Sequence, residues 1–185
     1  MPTGGDLPEA LVRAGIALLD EDGAEALSLR RIAARAGVSH AAPAHHFGGL
    51  PGLKTAIAAR GFQHFQQHLT AASDALPAGA DAFQRLCAVT GAYIGFARLR
   101  RALFHLMFDQ LATGGPDLRH RALGSYLLIK DLCAPFLDGR PAVAMETAVW
   151  SLTHGYAALN LDRPRPAESQ VATSAFVDAL RLIIA

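Results

Sequence analysis

The sequence predicts an all-α protein with about nine helices. Of its 185 residues, 51% are hydrophobic, which is enough to bury a sizeable core. Alanine and leucine dominate, and runs of β-branched residues are rare. Most glycines and prolines fall between segments of helical periodicity. These observations together favour helices over strands along the whole chain.

The first predicted helix begins at a capping box, in which Asp6 is the N-cap and Glu9 stands three residues later. Apolar residues then repeat at helical spacing from Leu7 to Leu18. Gly23 is expected to end this helix, because glycine readily takes up the backbone conformation found just after a helix.

Two shorter helices joined by a tight turn are predicted next. Ser28 is expected to cap the second helix, and Gly37 to end it in a left-handed conformation. Ser39 is expected to cap a third, brief helix that runs to about His46. A turn rich in glycine then leads into a fourth helix over about residues 52–72.

The rest of the chain is predicted to form five more helices, which are longer and more apolar. Breaks rich in glycine and proline separate them. They cover about residues 81–98, 101–111, 117–137, 141–160 and 168–184. We therefore predict an N-terminal domain over residues 5–60 and a C-terminal helical bundle over residues 61–185.

Charge is nearly balanced overall, at a formal net value of +1, but it is unevenly distributed. Residues 1–27 carry one arginine and six acidic residues, whereas residues 28–60 carry no acidic residue. The cations of the second segment are Arg30, Arg31, Arg35, Lys54 and Arg60. A local basic surface can bind a polyanion even when the whole chain is neutral; a solvated helix face is the alternative interpretation.

The segment over about residues 28–47 has the pattern of a helix-turn-helix. Such a motif needs a small residue where its helices cross, a glycine in the turn and an apolar residue after it. Ala33, Gly37 and Val38 supply these. In this motif the second helix enters the DNA major groove, while the N-terminus of the first helix faces phosphate.

The sequence LSLRRIAARAGVSHAAPAHHF (Leu27 to Phe47), preceded by the helix with GIALLDEDG, resembles the TetR family of transcriptional regulators. WSLTHGYAALN, at residues 150–160, resembles the Trp…His-Gly signature of its WHG-domain subgroup. The resemblance implies a ligand-responsive regulator, expected to be a repressor that binds a palindromic double-stranded DNA operator as a homodimer. It also implies release by a small hydrophobic effector.

The resemblance places the candidate DNA contacts in and around the helix-turn-helix. They are Ser28, Arg30, Ser39, His40, Ala41, His45, His46 and Lys54. Two positions depart from the family pattern, because Ala44 stands where many members have Tyr and Leu50 where many have Lys. Since both family residues commonly touch phosphate, we expect few strong side-chain contacts and modest DNA affinity.

The resemblance also implies an inducer pocket enclosed by the middle helices. The candidate lining residues are Phe83, Tyr93, Phe96, Phe104, Met107, Phe108, Tyr126, Trp150 and His154. Trp150 and His154 are four residues apart and share a helix face. They are either packed core residues with one hydrogen bond or a ligand-facing pair. Gly155 is expected to let another helix approach closely.

Dimerisation is expected through the last two helices, at about residues 141–160 and 168–184. The second of these carries a broad apolar stripe that a monomer would leave partly exposed. The stripe consists of Val171, Ala175, Leu180, Ile183 and Ile184.

Other classes of function lack a signature in this sequence. There is no glycine-rich phosphate loop, nucleophile elbow or pair of carboxylates on an apolar face, so we expect neither an enzyme nor a cofactor. Cys87 and Cys133 are expected in the core, and His64 and His68 make a poor metal site. Without a signal peptide or membrane span, a cytoplasmic protein is expected. The alternative function is a helical dimeric small-molecule sensor or binder with weakened or lost DNA binding.

Overall fold

A computed structural model describes residues 7–161 and 171–185 of the chain. Those residues form nine α-helices, two short 3-10 helices and no strand, so the all-α prediction is confirmed. The α-helices are α1 (Leu7–Asp22), α2 (Leu29–Ala36), α3 (Ala42–Phe47), α4 (Leu50–Asp74), α5 (Ala82–Leu99), α6 (Arg101–Gln110), α7 (Gly115–Cys133), α8 (Ala142–Leu161) and α9 (Val171–Ile184). The 3-10 helices are Ala24–Ala26 and Ala134–Phe136. None of the described helices is long and apolar enough to cross a bilayer.

Local capping signals set the ends of α1 and α2. Gly23 follows α1 with a φ of 79°, as the sequence predicts, while the proposed cap Asp6 lies outside the described residues. The Ser28 hydroxyl accepts a hydrogen bond from the Arg31 amide at 3.2 Å and caps α2. Gly37 ends α2 in the left-handed conformation, with φ 68° and ψ 32°.

The predicted N-cap of α3 at Ser39 is wrong. Residues 39–41 form a turn in which the Ala42 amide bonds to the Ser39 carbonyl at 3.1 Å, and α3 begins only at Ala42. Pro43 explains the later start, because a residue without an amide hydrogen fits only in the first turn of a helix.

Helix α4 begins at Leu50, two residues before the predicted start, with Pro51 in its first turn. Gly48 and Gly49 precede it with φ values of 65° and 120°. Gly52 follows closely on the end of α3, and a Cβ atom there would lie 2.0 Å from the Phe47 carbonyl oxygen. The short link between α3 and α4 therefore depends on glycine.

The later helices match the predicted ones to within a few residues. Helix α7 ends at Cys133, before the 3-10 helix that contains Pro135, whereas the sequence predicts one helix over residues 117–137. Helix α9 is described from Val171, and residues 168–170 of the predicted helix lie outside the described part.

The chain packs as two compact units. The first unit contains the residues up to His64 and those from Arg100 to Ala122, so α6 and the start of α7 belong to it. Its fully buried residues include Leu11, Ile32, Ala33, Leu53, Ile57, Leu103 and Met107. The predicted functional boundary at residue 60 stays a prediction.

The second unit contains residues Phe65–Leu99 and those after Ala122. It is built on the packing of α5 against α8 and of α8 against α9. Its fully buried residues include Phe65, Leu69, Leu86, Val89, Val149, Ala157 and Leu180.

Candidate nucleic-acid interface

The helix-turn-helix of the first unit has a first helix that is anchored by two buried residues and an exposed second part. In α2, Ile32 and Ala33 are fully buried, in keeping with a small residue at the helix crossing. Val38 is half-buried, and its amide bonds to the Ala33 carbonyl at 3.0 Å. These contacts fix the turn that precedes residues 39–47, which we call the recognition segment.

The recognition segment carries small and imidazole side chains at its surface. Its exposed residues are Ser39, His40, Ala41, Ala44, His45 and His46, whereas Pro43 is buried. The rings of His45 and His46 pack edge to face at 5.2 Å. Five of the eight candidate DNA contacts therefore lie together on this segment.

The other three candidates lie at the starts of neighbouring helices. Ser28 is half-buried at the N-terminus of α2, and Arg30 is exposed in its first turn. Lys54 is half-buried, one turn after Leu50, which is the half-buried first residue of α4. Both helix N-termini can offer amide hydrogens to an anion.

Acidic residues of α1 neutralise much of the basic segment. Three of its five cations form ion pairs with α1: Arg31 with Asp22, Arg35 with Glu21, and Arg60 with Glu9. Arg30 and Lys54 form no ion pair with any described residue. The charge count along the chain left open whether these cations form a polyanion-binding surface or a solvated helix face, and it left out the helix packed beside them; three of the five are paired within the protein.

The guanidinium of Arg35 shows how closely these charges are paired. It donates two hydrogen bonds to the Glu21 carboxylate, and these bonds raise the pKa of Arg35 above its ordinary value. Both side chains are substantially exposed, so the pair removes charge from the surface and adds little stability.

A second charged cluster of the first unit joins residues that are distant in sequence. Arg100 donates to the Asp20 carboxylate at 3.2 and 2.5 Å, and its third nitrogen lies 3.2 Å from Nδ1 of His64. Partial burial and then the charges of Arg100 and Arg60 lower the pKa of His64. Sequence reasoning missed this cluster, because no local pattern connects residues 80 positions apart.

The predicted pocket residues divide between the two units. Phe104, Met107 and Phe108 lie on α6 in the first unit, and the other six belong to the second unit. Tyr93, Phe96, Phe104 and Met107 are almost fully buried, while the other five are half-buried.

Trp150 and His154 share one face of α8, as the sequence predicts. Their rings stack at 5.2 Å with an interplanar angle of 6°. The Tyr93 hydroxyl lies 2.8 Å from Nδ1 of His154, and burial raises the pKa of Tyr93, so the phenol keeps its proton; the His154 tautomer sets which of the two groups donates. The hydrogen bond expected of a packed pair is therefore present. A ligand-facing role stays a prediction.

Gly155 is not needed for close packing within one protomer. A Cβ atom at this position would meet no described atom within 4 Å. The predicted close approach of another helix is therefore wrong for the described part of the chain.

Sequence reasoning also missed a buried carboxylate. Glu146 is the single acidic residue of α8 and is only 7% exposed, and it accepts a hydrogen bond from the Tyr126 hydroxyl at 3.2 Å. Burial, with a further contribution from Glu146, raises the pKa of Cys133 to about 11. Cys133 is buried, as predicted, and Cys87 is half-buried.

The histidine pair of α4 has other partners. His64 contacts Arg100, and His68 packs against Phe96 at 5.8 Å. Within the described ranges, no three His, Cys, Asp or Glu side chains are arranged to hold a metal ion.

Two family models match the chain. Residues 11–49 match the model of bacterial regulatory proteins of the tetR family. Residues 86–180, more than half of the chain, match the Tetracyclin repressor-like C-terminal domain. The comparison with curated protein sequences gives no match.

Solved structures with similar folds cover nearly the whole chain. A protein of unknown function from Rhodococcus sp. RHA1 is 28% identical and has a TM-score of 0.78; the match covers 97% of this chain and 96% of the Rhodococcus chain. A bacterial regulatory protein in the tetR family from Rhodococcus RHA1 is 19% identical over 96% of both chains, with a TM-score of 0.71. The multidrug binding protein EbrR, complexed with imidazole, is 21% identical over 96% of this chain and 89% of its own, with a TM-score of 0.64.

Proposed function

The chain belongs to the TetR family of DNA-binding transcriptional regulators, and we propose that it is a homodimeric, cytoplasmic repressor that a small, mainly hydrophobic effector releases from its operator. The observation that carries this proposal is the recognition segment, whose exposed side chains follow a helix anchored by Ile32 and Ala33 and a left-handed glycine turn. A symmetric dimer would present two such segments to a palindromic DNA site.

The proposed DNA contacts are of two kinds. The exposed residues within 39–45 would face base edges, where Ala41 presents a methyl group and His40 and His45 present ring nitrogens. Ser28, Arg30, His46 and Lys54 would lie against the phosphate backbone, which positions the protein without reading sequence.

Charge pairing predicts a shallow dependence of DNA affinity on salt. Two cations per protomer, Arg30 and Lys54, have no described ion pair, so a dimer would contribute four. Four phosphate contacts give a slope of log K against log salt of about −4, whereas all five cations of each protomer would give about −9. A measured slope near −9 would contradict this charge assignment.

The experiment begins by selecting bound duplexes from a random pool, which gives the operator and its half-site spacing. Wild type is then titrated against operator and random duplex at several salt concentrations. Leu50→Lys adds a cation at the start of α4 and should tighten binding to both duplexes, with a slope steeper by about one unit per protomer.

Ala112→Lys is the matched control, because Ala112 is exposed in the turn after α6 of the same unit. It should leave the slope unchanged. An unaltered slope in Leu50→Lys would mean that this residue does not face phosphate. If wild type binds no duplex at low salt, the sensor with lost DNA binding becomes the better assignment.

The outward face of α8 supports dimerisation. Val143, Thr147, Ser151, Gly155 and Leu159 are spaced by four, so they form an uncharged row that winds part of the way around the helix; Gly155 is half-buried and the other four are exposed. Val143 and Leu159 are 72% and 73% exposed at its two ends, with small residues between them. An uncharged face of this kind is costly in water and is typical of a surface that packs on another copy.

Helix α9 adds less apolar surface than its sequence suggests. Leu180 is fully buried, Ile183 and Ile184 are half-buried, and Ala175 is exposed; the side chain of Val171 lies outside the described residues. Leu182 is the most exposed, at 83%.

The dimer is tested with Ser151→Glu, which places a charge at the centre of the α8 face. At micromolar protein the mass in solution should fall toward that of a monomer, since a charge in a dry interface is strongly unfavourable. Ile183→Glu should act in the same direction. Thr70→Glu, at an exposed position on α4, should leave the mass unchanged. A wild-type monomer would refute the dimer.

The effector proposal rests on the aromatic residues of the second unit, where Phe65 packs edge to face on Tyr93 at 4.7 Å and Trp150 stacks on His154. The similarity to EbrR supports a search among small organic compounds. Thermal melts against a compound panel should show concentration-dependent stabilisation, and the same compounds should release the operator. A panel without either effect would count against the proposal.

A further inference from the structure

The first unit contains a pocket of about 240 Å³ that is separate from the proposed effector cluster. Residues of α1, α4 and α7 and the last residue of α3 line it. Two of the α4 residues are Ala56 and Ala59, whose methyl side chains leave the space open. Any longer side chain at these positions would project into the pocket.

One side of the pocket is apolar. Pro8 and Val12 of α1 face Ala56 and Ala59, and Phe47 adds an aromatic side chain. Val12 is only 6% exposed, whereas the other four residues are half-buried, so this wall lies at the edge of the core and is open to solvent on one side. An engineered apolar cavity of roughly 150 Å³ holds benzene, so a pocket of this size can take the body of a single aromatic ring.

The other side of the pocket is polar and carries net positive charge. Arg60 donates two hydrogen bonds to Glu9, both at 2.5 Å, and the two charges cancel. Arg121 also lines the pocket and forms no ion pair with any described residue. Gln63 adds an amide. The pocket therefore has one uncompensated cation beside an apolar wall.

We propose that this pocket binds a small amphipathic monoanion, of the class of aromatic monocarboxylates. The ring would lie against the apolar wall and the carboxylate would pair with Arg121, a geometry that arginine favours. A ligand with a cationic head would be repelled by Arg121, and a short carboxylate would leave the apolar wall uncovered.

The site differs from the proposed effector site in both place and ligand class. It lies in the unit that contains the recognition segment, and its occupant would touch Phe47, the last residue of α3. The proposal concerns binding alone, so it stands whether or not the second unit binds an effector.

The test is a titration of the full chain with benzoate, in which binding is measured by calorimetry and by changes in amide chemical shifts in NMR. Benzoate should bind with a dissociation constant on the order of 1 mM or tighter. Benzylamine has a similar ring and the opposite charge, and acetate has no ring. Both should bind at least about tenfold more weakly than benzoate.

Two variants with matched controls locate the site. Arg121 is exposed, so Arg121→Ala should weaken benzoate binding by only about three- to fivefold, whereas Arg119→Ala, at another exposed arginine of the same helix outside the pocket, should leave it unchanged. Ala59→Leu should fill the pocket and abolish binding. Ala71→Leu, at an exposed position of the same helix, should not.

Three results would overturn the proposal. They are the absence of saturable benzoate binding, equal binding of benzylamine, and benzoate binding that survives both Arg121→Ala and Ala59→Leu. The last result would locate the anion elsewhere in the chain. Because DNA titrations are independent of these measurements, a failure of this site is distinguishable from a failure of the proposed repressor function.

Discussion

Gly52 offers a sharp test of how the recognition segment is held. In Gly52→Ala the new Cβ atom would lie 2.0 Å from the Phe47 carbonyl oxygen and 3.1 Å from its carbonyl carbon. The start of α4 and the end of α3 must separate by roughly 1 Å or more to relieve this overlap. No side-chain rotation can help, because the opposing atoms are backbone.

Two opposing effects set the magnitude. Overpacking of this kind lowers the free energy of unfolding by about 1–3 kcal/mol, whereas the higher helix propensity of alanine raises it by at most about 1 kcal/mol. The carbonyl cannot yield, so we expect a net loss of about 2 kcal/mol in the free energy of unfolding. For a chain of this length that corresponds to a decrease in Tm of about 4–8 °C.

The matched control is Gly91→Ala in the middle of α5. A Cβ atom at Gly91 meets nothing within 4 Å, so the substitution should stabilise by about 0.5–1 kcal/mol through helix propensity alone. Thermal unfolding followed by circular dichroism compares the two variants, and titration with operator DNA should show weakened binding only for Gly52→Ala. If Gly52→Ala is as stable as wild type, the close approach of α3 and α4 does not exist.

Three further predictions concern partly buried polar contacts. Burial and Arg100 lower the pKa of His64, so the unfolded chain binds a proton at this residue more readily than the folded chain does. The free energy of unfolding should therefore fall as the pH drops below about 6.5. In His64→Gln, urea unfolding should lack this part of the pH dependence. Tyr93→Phe removes the hydroxyl that is hydrogen-bonded to Nδ1 of His154 and should lower the free energy of unfolding by about 1–2 kcal/mol, measured in urea. Arg140 donates to the carbonyls of the last two residues of α9, so Arg140→Met should speed amide hydrogen exchange in α9.

Local signals made much of the fold predictable. Ser28 and Gly37 act through backbone groups within three or four residues, so their effect can be inferred from neighbouring sequence. The predicted N-cap at Ser39 was wrong because a capping residue needs a helix directly after it, and Pro43 delays the start of α3. The stack of Trp150 on His154 was predictable from helical spacing. The hydrogen bond between His154 and Tyr93 was not, because it depends on how α5 and α8 pack.

The net charge around the helix-turn-helix also depends on how helices pack, which neighbouring sequence does not reveal. This charge has a functional consequence. Counted along the chain, residues 28–60 are strongly basic, yet α1 packs its acids against three of the five cations. Non-specific DNA binding is almost wholly electrostatic, whereas contacts with base edges depend on the exposed groups of the recognition segment. Pairing these arginines with Asp22, Glu21 and Glu9 is therefore expected to weaken binding to random DNA and to the operator by a similar factor. A recognition segment with small side chains and few unpaired cations has less total affinity, but a larger share of that affinity comes from sequence.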